Sequence, residues 1–234
     1  MKTLCACFES LLDDDDVFFD PENDKKYIEE WIRNNYNIAG KLTISDDFVV
    51  NSDRYVYVIN KNITSLTNNL FRWGKLDGSF DCSGCEKLKS LEGAPKEVNG
   101  SFDCNDCTKL KSLEGAPKEV KGGFGCRRCN KLTSLKGAPK KVKRDFSCRN
   151  CNNLTTLKGA PEKVGDNFRC TGCNNLTSLE GAPKEVDGNF YCGSCNKLTT
   201  LEGAPEKVGG YFYWFGCKNL KITDSDRKKY KIMD

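Results

Sequence analysis

Apolar residues recur every 22 positions from Phe80 onward. Each unit opens with a phenylalanine and carries a cysteine two residues later, so both side chains fall on one face of a short β-strand. A second cysteine follows three residues after the first, and two leucines come next. The first two columns are Phe80, Phe102, Phe124, Phe146, Phe168, Phe190 and Phe212, and Cys82, Cys104, Cys126, Cys148, Cys170 and Cys192, with Trp214 in the seventh place. This period predicts a stack of similar coils that share one apolar core.

The second half of each unit predicts a stretch without helix. Every unit except the last ends on Gly-Ala-Pro-x-x-Val. Proline lacks an N–H group and glycine costs backbone entropy, so this motif interrupts a helix. We therefore expect the far side of each coil to be extended or a single tight turn. The strands that begin with phenylalanine are expected to form a parallel sheet on one face of the stack.

The chain before Phe80 predicts an N-terminal cap, which a solenoid needs because its end coils would otherwise expose the core. Residues 25–35 predict an amphipathic helix, for which Asp20 and Pro21 are a start signal as the cap and the first helical position. Its predicted apolar face consists of Tyr27, Ile28, Trp31 and Ile32. Residues 41–50 predict a covering strand, and residues 55–66 predict a divergent first coil in which Ile63 and Leu66 take the leucine positions.

Four segments are therefore predicted along the chain. Residues 1–40 form a helical and acidic cap, and residues 41–78 form the divergent capping strand and first coil. Residues 79–222 form the solenoid, and residues 223–234 form a charged C-terminal tail. The aromatic-rich residues 211–215 and this tail are expected to close the stack.

The unit Leu-Thr-Ser-Leu-Glu-Gly-Ala-Pro-Lys-Glu-Val at residues 176–186 resembles that of leucine-rich-repeat proteins encoded by tailed bacteriophages. The resemblance covers about residues 41–222. It implies an α+β leucine-rich-repeat solenoid with a parallel sheet on one face, a helix-poor far side and an N-terminal helical cap. Many relatives place asparagine at the second cysteine, so the Cys85 column resembles their inward-facing ladder. The resemblance implies no established activity, although leucine-rich-repeat proteins mostly bind proteins.

The charge is unevenly distributed in this 234-residue chain, although its formal net charge is only +4. Residues 9–24 contain eight acidic and no basic residues, whereas residues 121–149 contain ten basic residues and one acidic residue. Such blocks bear on partners rather than on fold. No segment has the roughly 18 apolar residues of a membrane helix, and residues 1–12 make a poor secretory signal. We therefore expect a cytoplasmic protein with no membrane partner, located in the host cytoplasm if a phage encodes it.

The fifteen cysteines allow three interpretations. Cys82, Cys85, Cys104 and Cys107 fit a four-cysteine zinc spacing, but the fixed period makes every adjacent pair of units fit it. Disulfides fit the distance of about 4.7–4.9 Å between neighbouring strands, but the expected compartment is reducing. We favour free thiols that are buried as small apolar groups. Zinc and disulfides remain the alternatives.

Catalytic and metal chemistry find little support in the composition. The sequence contains no histidine, so a cysteine nucleophile lacks its usual activating base. The four aspartates at residues 13–16 lack the alternating spacing and the glycine of a calcium loop, and they predict a solvated linker. We predict no catalytic residue, no cofactor and no metal ligand.

Comparison of the units within the chain separates a constant from a variable surface. The far-side positions repeat Lys-Glu pairs of both signs, which predicts a self-neutralising solvated surface. The outward strand positions instead change from acidic through basic to aromatic along the stack. The candidate binding residues on this strand face are Asp81, Asp103, Arg127, Arg128, Arg149, Arg169, Tyr191, Tyr211 and Tyr213.

The variable strand face predicts a non-enzymatic scaffold that binds a protein, since solenoids bind through a concave sheet and arginine and tyrosine are favoured interface anchors. The partner is expected to be a host factor, a defence component or a virion neighbour. The alternative is nucleic-acid binding by the basic central coils, which the modest net charge disfavours. A structural role in a virion is a third hypothesis, and neutral drift of a solvated sheet also accounts for the variation.

Overall fold

The structure is a computed structural model that describes residues 21–68 and 70–231. Within its described residues, the N-terminal part contains one helix, α1 (Pro21–Asn35), and five strands: β1 (Tyr36–Ile38), β2 (Leu42–Ile44), β3 (Val49–Ser52), β4 (Val56–Val58) and β5 (Arg72–Leu76). Strand β1 pairs antiparallel with β4, and β2 pairs antiparallel with β3. These two antiparallel pairs lie at the start of the two long sheets described below.

Helix α1 begins at Pro21, the predicted first helical position, where proline's missing N–H is no loss. Ile28 and Ile32 are fully buried in the core, and Trp31 packs against it. The placement of Tyr27 on the apolar face was wrong, because 56% of this residue is exposed. The buried stripe follows the four-residue step from Ile28 to Ile32, and Tyr27 lies about 100° around the helix from Ile28.

The solenoid has about seven coils of about 22 residues, with few helices and parallel sheets. The first sheet, here called the Phe sheet, continues from β1 and β4 through strands that each begin with a repeat phenylalanine. Its strands are β6 (Phe80–Asp81), β8 (Phe102–Asp103), β10 (Phe124–Gly125), β12 (Phe146–Ser147), β14 (Phe168–Arg169), β16 (Phe190–Tyr191) and β18 (Phe212–Tyr213). Each phenylalanine is aligned with the next, as the 22-residue period predicts.

The far side of the coils forms a second parallel sheet, here called the Val sheet, in line with β2, β3 and β5. Its repeat strands are β7 (Glu97–Val98), β9 (Glu119–Val120), β11 (Lys141–Val142), β13 (Lys163–Val164), β15 (Glu185–Val186) and β17 (Lys207–Val208). An extended far side was predicted, but its pairing into a sheet was not. The single-sheet prediction is therefore incomplete, since the core lies between two parallel sheets.

The phenylalanine rings stack through the length of the core. Centroids of successive rings lie 4.8 to 5.5 Å apart, with interplanar angles of at most 27°. All seven rings are buried. Burial of one such side chain stabilises a fold by about 1.5–3 kcal/mol, so this column holds neighbouring coils together.

The second cysteine of each unit forms a regular hydrogen-bond series, here called the thiol ladder. The thiol of Cys107 donates to the backbone oxygen of Cys82 in the preceding coil, with 3.3 Å between Sγ and O. Five further Sγ to O distances of 3.0 to 3.3 Å repeat this contact from Cys129 to Cys217. The thiols therefore satisfy buried carbonyl groups between coils, besides filling space.

The glycine of Gly-Ala-Pro is required by both its backbone angles and its surroundings. Gly137 has φ +89°, and a Cβ atom there would lie 2.3 Å from the backbone nitrogen of Glu114 in the preceding coil. Gly84, in the turn after the Phe strand, also has a positive φ of +75°, but a Cβ atom would meet only the Lys61 side chain at 4.0 Å. Other coils accept Asp106 and Arg128 at the Gly84 position with φ of 59° and 56°. Close contact between coils therefore restricts Gly137 more than its φ angle does.

The last coil is closed by a short helix, α2 (Asp224–Lys229), and the residues after it. Thr223 caps α2 through a capping box with Asp226, and no residue of α2 is buried. Tyr230 covers the core instead, because its ring lies 4.6 Å from that of Phe212 and its hydroxyl donates to the Pro205 oxygen at 2.7 Å. A single buried tyrosine in the predicted charged tail thus packs on the end of the phenylalanine stack.

Candidate functional site

Three columns of side chains lie on the outer face of the Phe sheet, since side chains alternate between the faces of a strand. They stand one residue before, one residue after and three residues after each phenylalanine. The strand register aligns Asp81 with Asp103, and it aligns Arg169 with Tyr191 and then Tyr213. Five of the nine candidate residues therefore occupy the middle column.

Arg127 and Arg149 are neighbours in the third column, where the Arg128 amide donates to the Arg149 oxygen at 2.9 Å. Arg128 itself lies in the turn beyond the strand, with φ 56°, and its guanidinium bonds Asp106 with an Nη2 to Oδ2 distance of 2.8 Å. It is therefore at the margin of the face rather than on a strand. Tyr211 belongs to the first column, one residue before Phe212.

A depression of about 390 Å³ lies in the middle of this face, and we call it the glycine depression. Gly123 and Gly125 stand where other coils carry larger side chains, so the sheet surface is lower there. A Cβ atom on Gly125 would lie only 2.3 Å from the Asp103 carboxylate oxygen Oδ1. Side chains around the depression are those of Ser101, Asp103, Arg127, Asp145, Ser147, Arg149 and Arg169.

Two of the arginines on this face are neutralised by acidic neighbours. Arg169 pairs with Asp145 at 2.6 Å, and its guanidinium carbon lies 5.3 Å from the centroid of the Tyr191 ring. Arg128 pairs with Asp106, as described above. These contacts fix the guanidinium groups at two edges of the face and leave little net charge at either.

The other two arginines carry charge that is not balanced by an ion pair within residues 21–68 and 70–231. Arg127 Nε donates to the neutral amide oxygen Oδ1 of Asn105 at 3.3 Å. The Arg149 guanidinium is exposed and has no hydrogen-bond or ion-pair partner in that part of the chain. The Ser147 hydroxyl at the depression is buried, and it too has no hydrogen-bond partner among the described residues. Unused hydrogen-bonding groups are thus concentrated at the glycine depression.

The acidic side of the depression is electrostatically unfavourable in the free protein. Burial raises the pKa of Asp103, and the neighbouring Asp81 carboxylate raises it further. A hydrogen bond from Asn105 and the positive charge of Arg127 act in the opposite direction and lower the pKa of Asp103. Like charges directly opposite each other on neighbouring strands destabilise a sheet, so Asp81 and Asp103 are not explained by folding stability.

Aromatic residues cover the same face in the last two coils. The rings of Tyr191 and Tyr213 stack with centroids 4.6 Å apart and an interplanar angle of 1°, and Tyr211 lies 6.0 Å from Tyr213. Phe215 is 80% exposed in the third column of the same region. We call these four residues the aromatic patch. An exposed aromatic cluster of this kind is typical of interaction surfaces.

Three contributors to the face were missed from the sequence. Asp145 and Phe215 stand in the first and third columns, so extending the two-residue alternation by one position at each strand end would have found them. Ser147 occupies the middle column between Gly125 and Arg169. A lone serine there gives no sequence signal for a buried hydroxyl without a partner.

The outer face of the Val sheet is largely self-neutralising, in line with its repeated Lys-Glu pairs, except in the coil where Lys140 and Lys141 stand together. Lys163 pairs with both Glu185 and Asp187, each at 3.1 Å. A hollow of about 620 Å³ on this side is larger than the glycine depression, but basic and acidic residues line it alike. Exposed pairs of this kind contribute little to stability, and they leave little net charge for a ligand.

Most of the repeat thiols are poorly suited to nucleophilic chemistry. The exception is the half-exposed Cys217, because hydrogen bonding with Cys192 and Cys195 lowers the pKa of this thiol. Burial raises the pKa of Cys85 to about 12, so its reactive thiolate is scarce at neutral pH. The thirteen repeat cysteines of the described part of the chain are free, and twelve of them are buried. No group of three or more His, Cys, Asp or Glu side chains within residues 21–68 and 70–231 is arranged to hold a metal ion. Residues 13–16, with their predicted solvated linker, lie outside the described residues.

Thiol titration tests this arrangement. In a Cys5→Ser/Cys7→Ser variant, a thiol reagent such as DTNB is expected to modify only Cys217 quickly, because Cys217 is the half-exposed member of the thirteen. The other twelve are expected to react only when denaturant unfolds the coils. If a chelator alone released further thiols, a metal site would be indicated, and thiols that reacted only after reduction would indicate disulfides.

Within the described residues, no helix is long and apolar enough to cross a membrane. Comparisons of the chain with protein-family models, curated proteins and solved structures give no match. The geometry of the Phe sheet and its outer face is therefore the basis for a functional conclusion.

Proposed function

We propose that this protein is a non-catalytic scaffold that binds a protein partner through the outer face of the Phe sheet. The observation that carries the proposal is the contrast between the two sheets. On the Val sheet, five of the six coils carry one lysine and one glutamate at the same two positions, with Lys140 and Lys141 as the exception. The outer columns of the Phe sheet instead change from acidic to basic to aromatic. A solvated sheet needs no such progression, and a surface matched to one partner does.

A protein partner fits this face better than a nucleic acid does. The basic residues of the central coils are divided between opposite sides of the solenoid, with Arg127 and Arg149 on the Phe sheet and Lys141 on the Val sheet. Asp103 and Asp145 also border the glycine depression, so its arginines do not form the continuous positive surface that a phosphate backbone with many charges would need. A nucleic-acid site instead needs a continuous basic stripe.

The cellular setting is part of the same proposal. The resemblance to leucine-rich-repeat proteins of tailed bacteriophages supports a phage-encoded protein in the host cytoplasm. A host or defence component then becomes the expected partner. The missing histidine and the buried thiols support a role without catalysis.

Affinity capture from a nuclease-treated bacterial lysate, followed by mass spectrometry, tests the proposal. The variant Arg127→Glu/Arg149→Glu is expected to lose the captured protein, because both reversals lie at the glycine depression. The matched control Lys141→Glu/Lys207→Glu makes the same change in net charge on the Val sheet, and it is expected to retain the protein.

Circular dichroism of both variants establishes that the fold is intact. Equal capture by the two variants would place the binding site away from the Phe sheet. Retention on nucleic acid that falls steeply with salt and requires Arg149 would replace the protein partner with a nucleic acid.

A further inference from the structure

The glycine depression and the aromatic patch lie on one strip of the Phe sheet, and together they restrict what the partner presents. We propose that the partner binds as an extended segment with one carboxylate side chain in the glycine depression and one apolar or aromatic side chain on the aromatic patch. This inference rests on the proposed function, since it describes the partner of the same face.

The charges of the arginines at the glycine depression favour a partner segment that places one carboxylate there. Arg128 and Arg169 are already paired with Asp106 and Asp145. Arg149 has no partner among residues 21–68 and 70–231, and Arg127 bonds only the neutral Asn105 side chain there. A guanidinium group binds a carboxylate through two parallel hydrogen bonds. The depression therefore offers a bidentate site with a second positive charge beside it.

The shape of the depression supports entry of a side chain. Gly123 lowers its floor, and above Gly125 the space is occupied by the Asp103 and Asn105 side chains rather than by backbone. An acidic side chain from a segment lying across the strands can therefore reach the guanidinium groups without displacing a coil. The neighbouring Asp103 disfavours a second carboxylate, which limits the site to a single acidic side chain.

The distance between the glycine depression and the aromatic patch determines how far apart the two side chains lie in the partner segment. Arg149 belongs to the coil of Phe146, and Tyr191 and Tyr213 belong to the coils two and three further along. At about 4.8 Å per strand, these tyrosines lie about 10–14 Å from the arginine along the solenoid axis. An extended chain advances about 3.3 Å per residue. Both side chains must lie on the same face of the extended segment, so the acidic and apolar residues are about four positions apart.

Selection from a random 12-residue peptide library displayed on yeast tests the inference with the full-length protein. Enriched peptides are expected to carry Asp or Glu about four positions from Tyr, Phe, Trp or Leu. Arg149→Ala or Tyr213→Ala is expected to weaken binding of a selected peptide about thirtyfold by fluorescence polarisation. Lys141→Ala, on the Val sheet, is the matched control and is expected to change nothing.

A double-mutant cycle identifies the contact. Replacing the peptide's Glu by Gln is expected to weaken binding to the unsubstituted protein but to have little further effect on Arg149→Ala, because the two groups interact directly. Independent effects, or enriched peptides without the acidic and apolar pair, would overturn the proposed motif.

The two proposals can fail separately. If the lysate protein is captured through Arg149 but no peptide is enriched, the face binds a folded surface, so the extended segment is wrong and the protein partner stands. If the peptides bind equally well to Arg149→Ala, the carboxylate subsite is wrong. If an oligonucleotide binds through Arg149 in place of any protein or peptide, both proposals are wrong.

Discussion

Replacing Phe146 by alanine is expected to lower the free energy of unfolding by about 3–5 kcal/mol, the usual cost of removing a large buried ring. Phe146 is fully buried, and its ring stacks on Phe124 at 5.4 Å and on Phe168 at 5.2 Å. The change therefore leaves a cavity and removes two ring contacts in the middle of the stack. Urea unfolding followed by circular dichroism measures the effect.

The control for this substitution is Phe215→Ala, which removes the same side chain from an 80% exposed position. Its effect is expected to lie within about 0.5 kcal/mol, as for most surface substitutions. Similar losses for the two variants would contradict the placement of the phenylalanine column in the core.

Replacing Gly137 by alanine is expected to destabilise the protein by more than the same change at Gly84. Both residues have positive φ, so alanine costs about 1–2 kcal/mol of backbone strain at either position. Only at Gly137 does the new Cβ atom approach the backbone of the preceding coil, at 2.3 Å. The coils around Gly137 must separate to admit the methyl group, which we expect to add at least about 1 kcal/mol, as overpacking does.

Thermal and urea unfolding of Gly137→Ala and Gly84→Ala, measured side by side, give the difference. Since the backbone strain is common to both variants, the difference isolates the contact between coils. Equal destabilisation would mean that φ alone selects glycine in the Gly-Ala-Pro motif.

The coil architecture was predictable because each unit repeats the same burial pattern. Phenylalanine, two cysteines and two leucines recur at fixed positions, and they are the residues that fill the core. The Val sheet was not predictable in the same way. Its strands are two residues long, such as Lys141–Val142, and so short a segment has no alternation from which pairing can be inferred.

The candidate face was located from the sequence, but its internal geometry was not. The strand alternation placed Arg127 and Arg149 on the outside, where they lie. It also placed Arg128 there, because the sequence does not reveal that the chain enters a left-handed turn at this residue. The pairing of Arg169 with Asp145 depends on side-chain rotamers across two coils. No residue-by-residue pattern encodes such a contact.

The glycine depression was also not predictable from the sequence, for a different reason. It exists because Gly123 and Gly125 have no side chains. Functional residues are instead recognised in a sequence by their charged, polar or reactive side chains. The carboxylate of Asp103 leaning over Gly125 gives the glycine its role, and this becomes visible only when coils are superposed in register.

Strands on both walls of the coil have a consequence for shape. A repeat solenoid with strands on one face and helices on the other bends into a horseshoe. It bends because helices are about 10 Å wide and therefore wider than the strands on the opposite face. Here both faces are parallel sheets with the same spacing between neighbouring strands, so neither face holds the coils further apart than the other. The scaffold is expected to extend as a nearly straight ladder rather than an arc. Inserting or deleting one 22-residue coil between Arg149 and Tyr213 would then change their separation by about 4.8 Å. The distance between contact points on a partner is therefore adjustable in equal steps.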